Sequence, residues 1–113
     1  MAIQRCLVEM GTGVDMHGKN STKAARRAVF DALRHSSPSF LHAFGYNPGL
    51  MHVEVNIAVP NHMTVRPGEV LLEVPYGIKS INVMEGGLEV PGSGEDATIM
   101  ANAAVIVSLN IPE

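Results

Sequence analysis

The chain has a single cysteine, Cys6, and that scarcity removes two kinds of chemistry at once. No internal disulfide can form, and no cluster of thiolates is available to hold zinc. Cys6 then reads as a small apolar residue within a strand. Charge is scarce as well: 17% of the 113 residues are Asp, Glu, Lys or Arg, against about 25% in ordinary soluble domains. The formal net charge is -3, so the chain lacks the strongly basic balance of a general nucleic-acid binder. No apolar run approaches the ~20 residues of a membrane span, and the opening MAIQRCLVEMG has no signal-peptide architecture. Internal repeats and low-complexity tracts are missing too. The expectation is a soluble cytoplasmic protein with neither a nucleic-acid nor a membrane partner.

What the chain does have is apolar surface. Hydrophobic residues make up 46% of it, although aromatics supply only 4%. A length of 113 residues suits one domain spanning 1–113. Low charge and high apolar content together suggest that part of this surface lies between subunits of a homo-oligomer. The seven methionines fit such a packed core as readily as a ligand site.

Chemistry concentrates in Gly11 to Lys23, GTGVDMHGKNSTK, between an apolar run and a helix start. Alternation predicts a strand over Ile3 to Met10, with Cys6, Val8 and Met10 on one side and Arg5, Leu7 and Glu9 on the other. Ser21 or Asn20 can cap a helix running from about Thr22 to about His35. Ala24, Ala25, Ala28, Val29, Ala32 and Leu33 form its buried stripe, small enough for the helix to lie close on a sheet. Glycines at 11, 13 and 18 allow a ligand to approach the backbone. If the segment is extended, Asp15 and His17 project from one side toward a single spot.

Downstream, Phe40 to Phe44 fits at most a short helical turn, and Tyr46-Asn47-Pro48-Gly49 a turn. Met51 to Val59 alternates as a strand, with Val53, Val55, Ile57 and Val59 opposite His52, Glu54, Asn56 and Ala58. Gly68 to Val74 fits a short helix opened by Pro67 or, equally, a strand; the proline favours the helix. Ile78 to Met84 is a strand broken or bulged at Gly86-Gly87, Pro91 to Asp96 an exposed loop, and Thr98 to Ile111 a long strand for the sheet centre or an interface. The sum is an α+β fold: a single mixed sheet of about four strands with one long helix and a short second helix on one face. Its second face, carrying Cys6, Val53 or His52 and part of the last strand, needs a partner, and another copy is the default.

Several chemistries fit the glycine segment. Gly13 to Lys19 matches the GxxxxGK core of a phosphate loop, but Asn20 stands where Ser or Thr would hold magnesium and Asp15 would repel phosphates. No nucleotide cofactor is therefore expected. An anion could still be held at the helix start by Lys19 and Lys23, with Arg26 nearby and Gly11, Gly13 and Gly18 lining the approach. A divalent metal could bind Asp15 and His17 with a third ligand from His35, His42, His52 or Glu54, His42 and His52 being the nearest candidates. Without metal, His17 and Glu54 or Glu85 could serve as acid and base in an intersubunit cleft. Against these stand bland alternatives: Asp15 bonded to nearby N–H groups, a polar strand face that is simply solvated, and a binding or structural oligomer without turnover.

The segments GTGVDMHGKNSTKAARRAV, VEVNIAVP, VPYG, EGGL and ANAAV resemble a small family of uncharacterised bacterial and plant proteins marked by GxGxDxHG. The match covers Gly11, Gly13, Asp15, His17 and Gly18. More distantly, the strand leading into a DxH pair is similar to methylerythritol cyclodiphosphate synthase, where Asp and His bind a divalent metal with a later His in intersubunit sites of a trimer. Asp15 and His17 match that pair; no downstream segment clearly matches the third ligand, and the nucleotide-binding region has no counterpart. The resemblance implies a chorismate mutase-like, trimer-forming fold. Family membership names the site and not the reaction. The reading of the whole chain is a small-molecule enzyme with a site between subunits, acting on an anionic substrate with a divalent metal as an optional participant. The alternative is a non-catalytic ligand-binding or structural oligomer.

Overall fold

The computed structural model describes residues 2–34 and 50–111. His35, His42, the expected turn over Phe40 to Phe44 and the one at Tyr46 to Gly49 lie outside the described residues. The first strand, β1 (Ala2–Asp15), continues past Met10 and straight through both early glycines. The helix α1 (Ser21–Arg34) explains why. A Cβ on Gly11 would strike the backbone of Ala28 and Ala32, and one on Gly13 the backbone of Ala24 and Ala28. Ala24, Ala25, Ala28 and Ala32 are completely buried. Bare backbone on the strand meets methyl-sized residues on the helix, so the two pack at close range. The helix also protects the edge of β1, since Asp31 accepts the Thr12 N–H at 3.0 Å and Arg27 donates to the Val14 carbonyl at 2.6 Å.

After α1 come β2 (His52–Val59), a 3₁₀ turn (His62–Thr64), the short helix α2 (Pro67–Leu71), β3 (Ile78–Glu85), β4 (Leu88–Pro91) and β5 (Ala97–Ile111). Proline stands in the first turn of α2, where its missing N–H costs nothing. The sheet order is β1-β5-β2-β3, with β4 also paired to β5. The long last strand thus sits at the sheet centre, antiparallel to β1 and β2, while β2 and β3 run parallel. Five strands form instead of about four, because the chain past the Gly86-Gly87 break pairs again as β4, which overlaps the expected loop at Pro91 alone. Pairing of β2 with β5 stops at Asn102, and Gly87, at φ 69°, turns the chain so that Leu88 to Pro91 can occupy the vacant edge from Ala97 to Met100.

One face of the sheet and α1 enclose the core: Val53, Val55, Ile57 and Val59 of β2, alternate residues Ile99 to Leu109 of β5, and Val29 with the alanines of α1. Val53 therefore belongs to the core and His52 to the other face. A register shift between Arg5 and Leu7 disturbs the expected alternation of β1, so Cys6 and Leu7 both pack against the core. Beyond the bulge Val8 and Met10 face outward, 45% and 70% exposed. No described element covers that second face. The fold is the expected α+β arrangement with helices on one side, and no helix among the described residues is long and apolar enough to cross a membrane.

Candidate functional site

Because β1, β2 and β3 share one direction, their last residues, Asp15, Val59 and Glu85, come to one end of the sheet beside the starts of α1 and β5. Strand geometry stops at Asp15 and the chain bends at His17 and Gly18, so the two candidate residues diverge. The Asp15 side chain, 3% exposed, turns inward. Its Oδ2 accepts the Asn20 N–H at 2.9 Å, and its Oδ1 lies 3.9 Å from Lys23 Nζ and 3.7 Å from Arg27 Nη1. Asn20 caps the helix by accepting the Lys23 N–H at 3.0 Å. The positive end of α1 thus already faces a carboxylate supplied by the chain.

His17 points the other way, 85% exposed, with Nδ1 at 2.9 Å from Asp96 Oδ2. Asp96 Oδ1 accepts N–H bonds from Gly18 at 3.0 Å and Ala97 at 2.9 Å. The Gly18 N–H foremost, then His17 and the Ala97 N–H, hold the Asp96 carboxyl down at about 2. A second imidazole–carboxylate pair lies at the same end. His62 Nδ1 is 2.8 Å from Glu85 Oε1, and Glu85 also accepts the N–H groups of Asn61 and His62 at 3.2 Å. The His62 ring bond, followed by those N–H bonds, lowers the Glu85 pKa.

Next to these pairs is a hollow of about 330 Å³ lined by Gly18, Lys19, Asn20, Asn61, Thr64 and Arg66, among others. Lys19 and Asn61 hold φ values of 49° and 57°, a left-handed backbone unusual for residues with a Cβ. Two bonds fasten the hollow's walls: Ser21 Oγ donates to the Pro60 carbonyl at 2.6 Å, and the Arg66 N–H donates to Thr22 Oγ1 at 3.0 Å. Of the five residues expected to meet a ligand, Gly18 and Lys19 line this hollow. Lys23 borders a neighbouring groove along α1 of about 440 Å³. Gly13 and Gly11 both leave Cβ space to the backbone of α1, and Gly11 also borders a hollow of about 520 Å³ with Met10, Asn56, Met84 and Asn102.

Glu54 and His52 are elsewhere. Asp15 is opposite Ile99 on β5, while His52 is opposite Ser108. Nine residues of strand at ~3.3 Å each separate them by roughly 30 Å. Within one chain, His52 and Glu54 therefore cannot join Asp15 and His17 around one ion or substrate. Among the described residues no three His, Cys, Asp or Glu side chains stand together as a metal site. Sequence reasoning misses Asp96 and His62 because their partners are distant: 79 residues separate His17 from Asp96 and 23 separate His62 from Glu85.

A family model described as a conserved hypothetical protein, Lin0512, matches residues 5–107. Among solved structures, a crystal structure from Nostoc punctiforme, described as an FtsZ-like protein of unknown function, superposes with a TM-score of 0.88 and 38% identity. The match covers 98% of this chain and 99% of that one. No curated protein matches the sequence.

Proposed function

The chain belongs to the Lin0512 family of conserved hypothetical proteins, and from that premise we propose that it is a small-molecule enzyme acting on an anion bound in the hollow beside Lys19 and Arg66. The observation that carries this reading is the pair of left-handed residues, Lys19 and Asn61, on the walls of one cavity. For Lys19 that conformation costs on the order of 1–3 kcal/mol and persists only where its surroundings enforce it, a pattern concentrated at functional sites, while Asn61 tolerates it more readily. Lys19 has no side-chain partner among the described residues, so its charge is available to a ligand. Arg66 pairs with Glu69 at 3.1 Å and can still direct its remaining N–H groups inward. With Nδ1 of His17 held by Asp96, Nε2 is the atom that takes or gives a proton.

The site is completed between subunits. The uncovered sheet face packs against further copies, in the trimer that the fold resemblance implies. A metal-assisted version would need Asp15 and His17 to turn toward each other and a third ligand from His42 or another copy, since the described residues bring no such group together. Tag-free protein analysed for metal decides it: stoichiometric metal lost in Asp15→Ala and His17→Ala supports that version, and metal-free active protein ends it. The saturation of Asp15 within its own chain favours a second reading, a ligand-binding oligomer without turnover.

Calorimetric titration with inorganic phosphate and pyrophosphate tests the anion site. Saturable binding weakened at least about tenfold in Lys19→Ala is expected, as befits loss of a charge-assisted contact. Failure of both anions to bind at millimolar concentration overturns the reading. Should binding occur, unchanged conversion of a bound anionic substrate in His17→Asn removes His17 from the chemistry.

A further inference from the structure

Strand β3 stands last in the sheet order, and among the described residues nothing pairs with its outer side. None of its side chains is fully buried, although Ile81 and Val83 pack partly against the core. A free edge of this kind is a template for another strand, and folds commonly blunt it with proline or a bulge. β3 has neither: its sequence is IKSINVME, and its register against β2 runs unbroken from Ile78 to Glu85.

The bonds at its two ends fix which backbone groups face outward. The Ile78 N–H donates to the Met51 carbonyl at 2.7 Å and the Gly86 N–H to the Val59 carbonyl at 3.4 Å, so the even-numbered residues point their main-chain groups at β2. By alternation Lys79, Ile81, Val83 and Glu85 point theirs away from the sheet. These four are also in register with Val53, Val55, Ile57 and Val59 of the core, so their side chains leave on the helix side. Lys79 and Glu85 are the only charges on the strand. They flank Asn82 at equal spacing, and so, closer in, do Ile81 and Val83.

We propose that β3 pairs with β3 of a second copy, antiparallel about a two-fold axis at Asn82, joining two five-stranded sheets edge to edge. Such an axis keeps the helices of both copies on one side, so residues that meet must share a face. Ile81 then lies opposite the partner's Val83 and Lys79 opposite the partner's Glu85, each pair exchanging two main-chain hydrogen bonds. Symmetry repeats both pairs. Opposite charges and β-branched neighbours are the cross-strand pairs that stabilise an antiparallel ladder. Centring the axis on Ile81 instead would set Lys79 against the partner's Val83 and leave the charges unmatched. Glu85 is 61% exposed and keeps its bonds to Asn61 and His62, because a carboxylate offers about four acceptor positions. This edge is separate from the open sheet face, so both contacts can coexist. If that face closes a trimer, the two-fold doubles it to six copies.

Light scattering on the full chain, separated by size exclusion, reads the subunit number. A dimer or a hexamer is expected. Lys79→Glu sets carboxylate against carboxylate at both ends of the ladder and should halve the mass, with circular dichroism verifying the fold. Loss of the open-face packing alone would leave a dimer, so failure of that reading shows separately. Asn82→Cys in a Cys6→Ala background gives a second readout. Opposite residues that exchange no hydrogen bonds stand about 4.5 Å apart at Cα, inside the disulfide range of roughly 4.4–6.8 Å. Mild oxidation should therefore link subunits in covalent pairs, and adding Lys79→Glu should prevent it; if Lys79→Glu does not fold, the cross-link decides. A monomer or a trimer in the parent, unchanged mass in folded Lys79→Glu, or no link through Asn82→Cys overturns the proposal.

Discussion

The two ends of this sheet hold similar residue types and use them differently. Where β1 ends and α1 begins, most charges are spent inside the chain: Asp15 on Asn20, Lys23 and Arg27, Arg26 on Glu73, Arg66 on Glu69, His17 on Asp96, His62 on Glu85. At the other end Arg5, Lys79, His52, Ser80 and Ser108 have no partner among the described residues. The first end has the denser sequence motif, yet much of that motif is a joint between strand and helix. Density of chemical residue types marks a place where geometry is demanding. Whether the demand comes from a ligand or from the fold is settled by how many of the groups are already satisfied.

The largest expected effect would come at the glycines of that joint. Gly13→Ala and Gly11→Ala each put a Cβ into helix backbone, which cannot yield as a flexible side chain would. Destabilisation of about 3 kcal/mol or more, at or above the usual overpacking range, should appear in urea unfolding curves. If both variants unfold like the parent, the glycines are not packing devices and the ligand-approach reading returns.

Next comes Asp15. In Asp15→Ala the Asn20 N–H loses its acceptor and the carboxylate facing Lys23 and Arg27 disappears, both in a buried setting. A loss of about 1–3 kcal/mol is expected. Asp15→Asn keeps an acceptor and should lose less. A variant that melts with the parent but loses ligand binding would instead assign the carboxylate to function, blurring the contrast between the two ends.

A smaller effect follows pH. Asp96 is lowered from 3.8 to about 2 in the folded chain, so it binds its proton less readily there than when unfolded. The stability it contributes is fully present above pH 4 and is lost as pH falls through about 2. Asp96→Asn should lose that part of the acid dependence, with the parent and variant melting curves converging as pH falls from 4 to 2. Parallel curves over that window would mean that the His17–Asp96 latch does not close in solution.

Local pattern made much of this fold legible. Alternation found β2 and β5, the alanine stripe announced a helix lying close on a sheet, and Pro67 resolved the ambiguous stretch into α2. What escaped was non-local. The strand β4 exists because β2 leaves part of the β5 edge unpaired, a fact of register rather than of the sequence LEVP. Gly11 and Gly13 look alike whether they admit a ligand or a helix, and only the position of α1 tells the two apart. Asp15 and His17 were expected to converge because extended backbone was assumed beyond Asp15, and the bend at His17 removes that condition. Within one chain nine residues of β5 separate His52 and Glu54 from that pair, so only a second copy could bring the groups together.

The smallest expected change is also the sharpest probe of the comparison. Arg5→Ala deletes a charge that pairs with nothing in the described chain, so its unfolding free energy should stay within about 0.5 kcal/mol of the parent. By contrast, Arg26→Ala removes the 2.7 Å contact with half-buried Glu73, and it should be the costlier substitution in the same assay. The ordering matters more than the values, since exposed ion pairs contribute little. If Arg5→Ala proved as destabilising as Arg26→Ala, that cation would be engaged in solution by the chain or by another copy. The two ends would then differ in what they bind to, and no longer in whether they are free to bind.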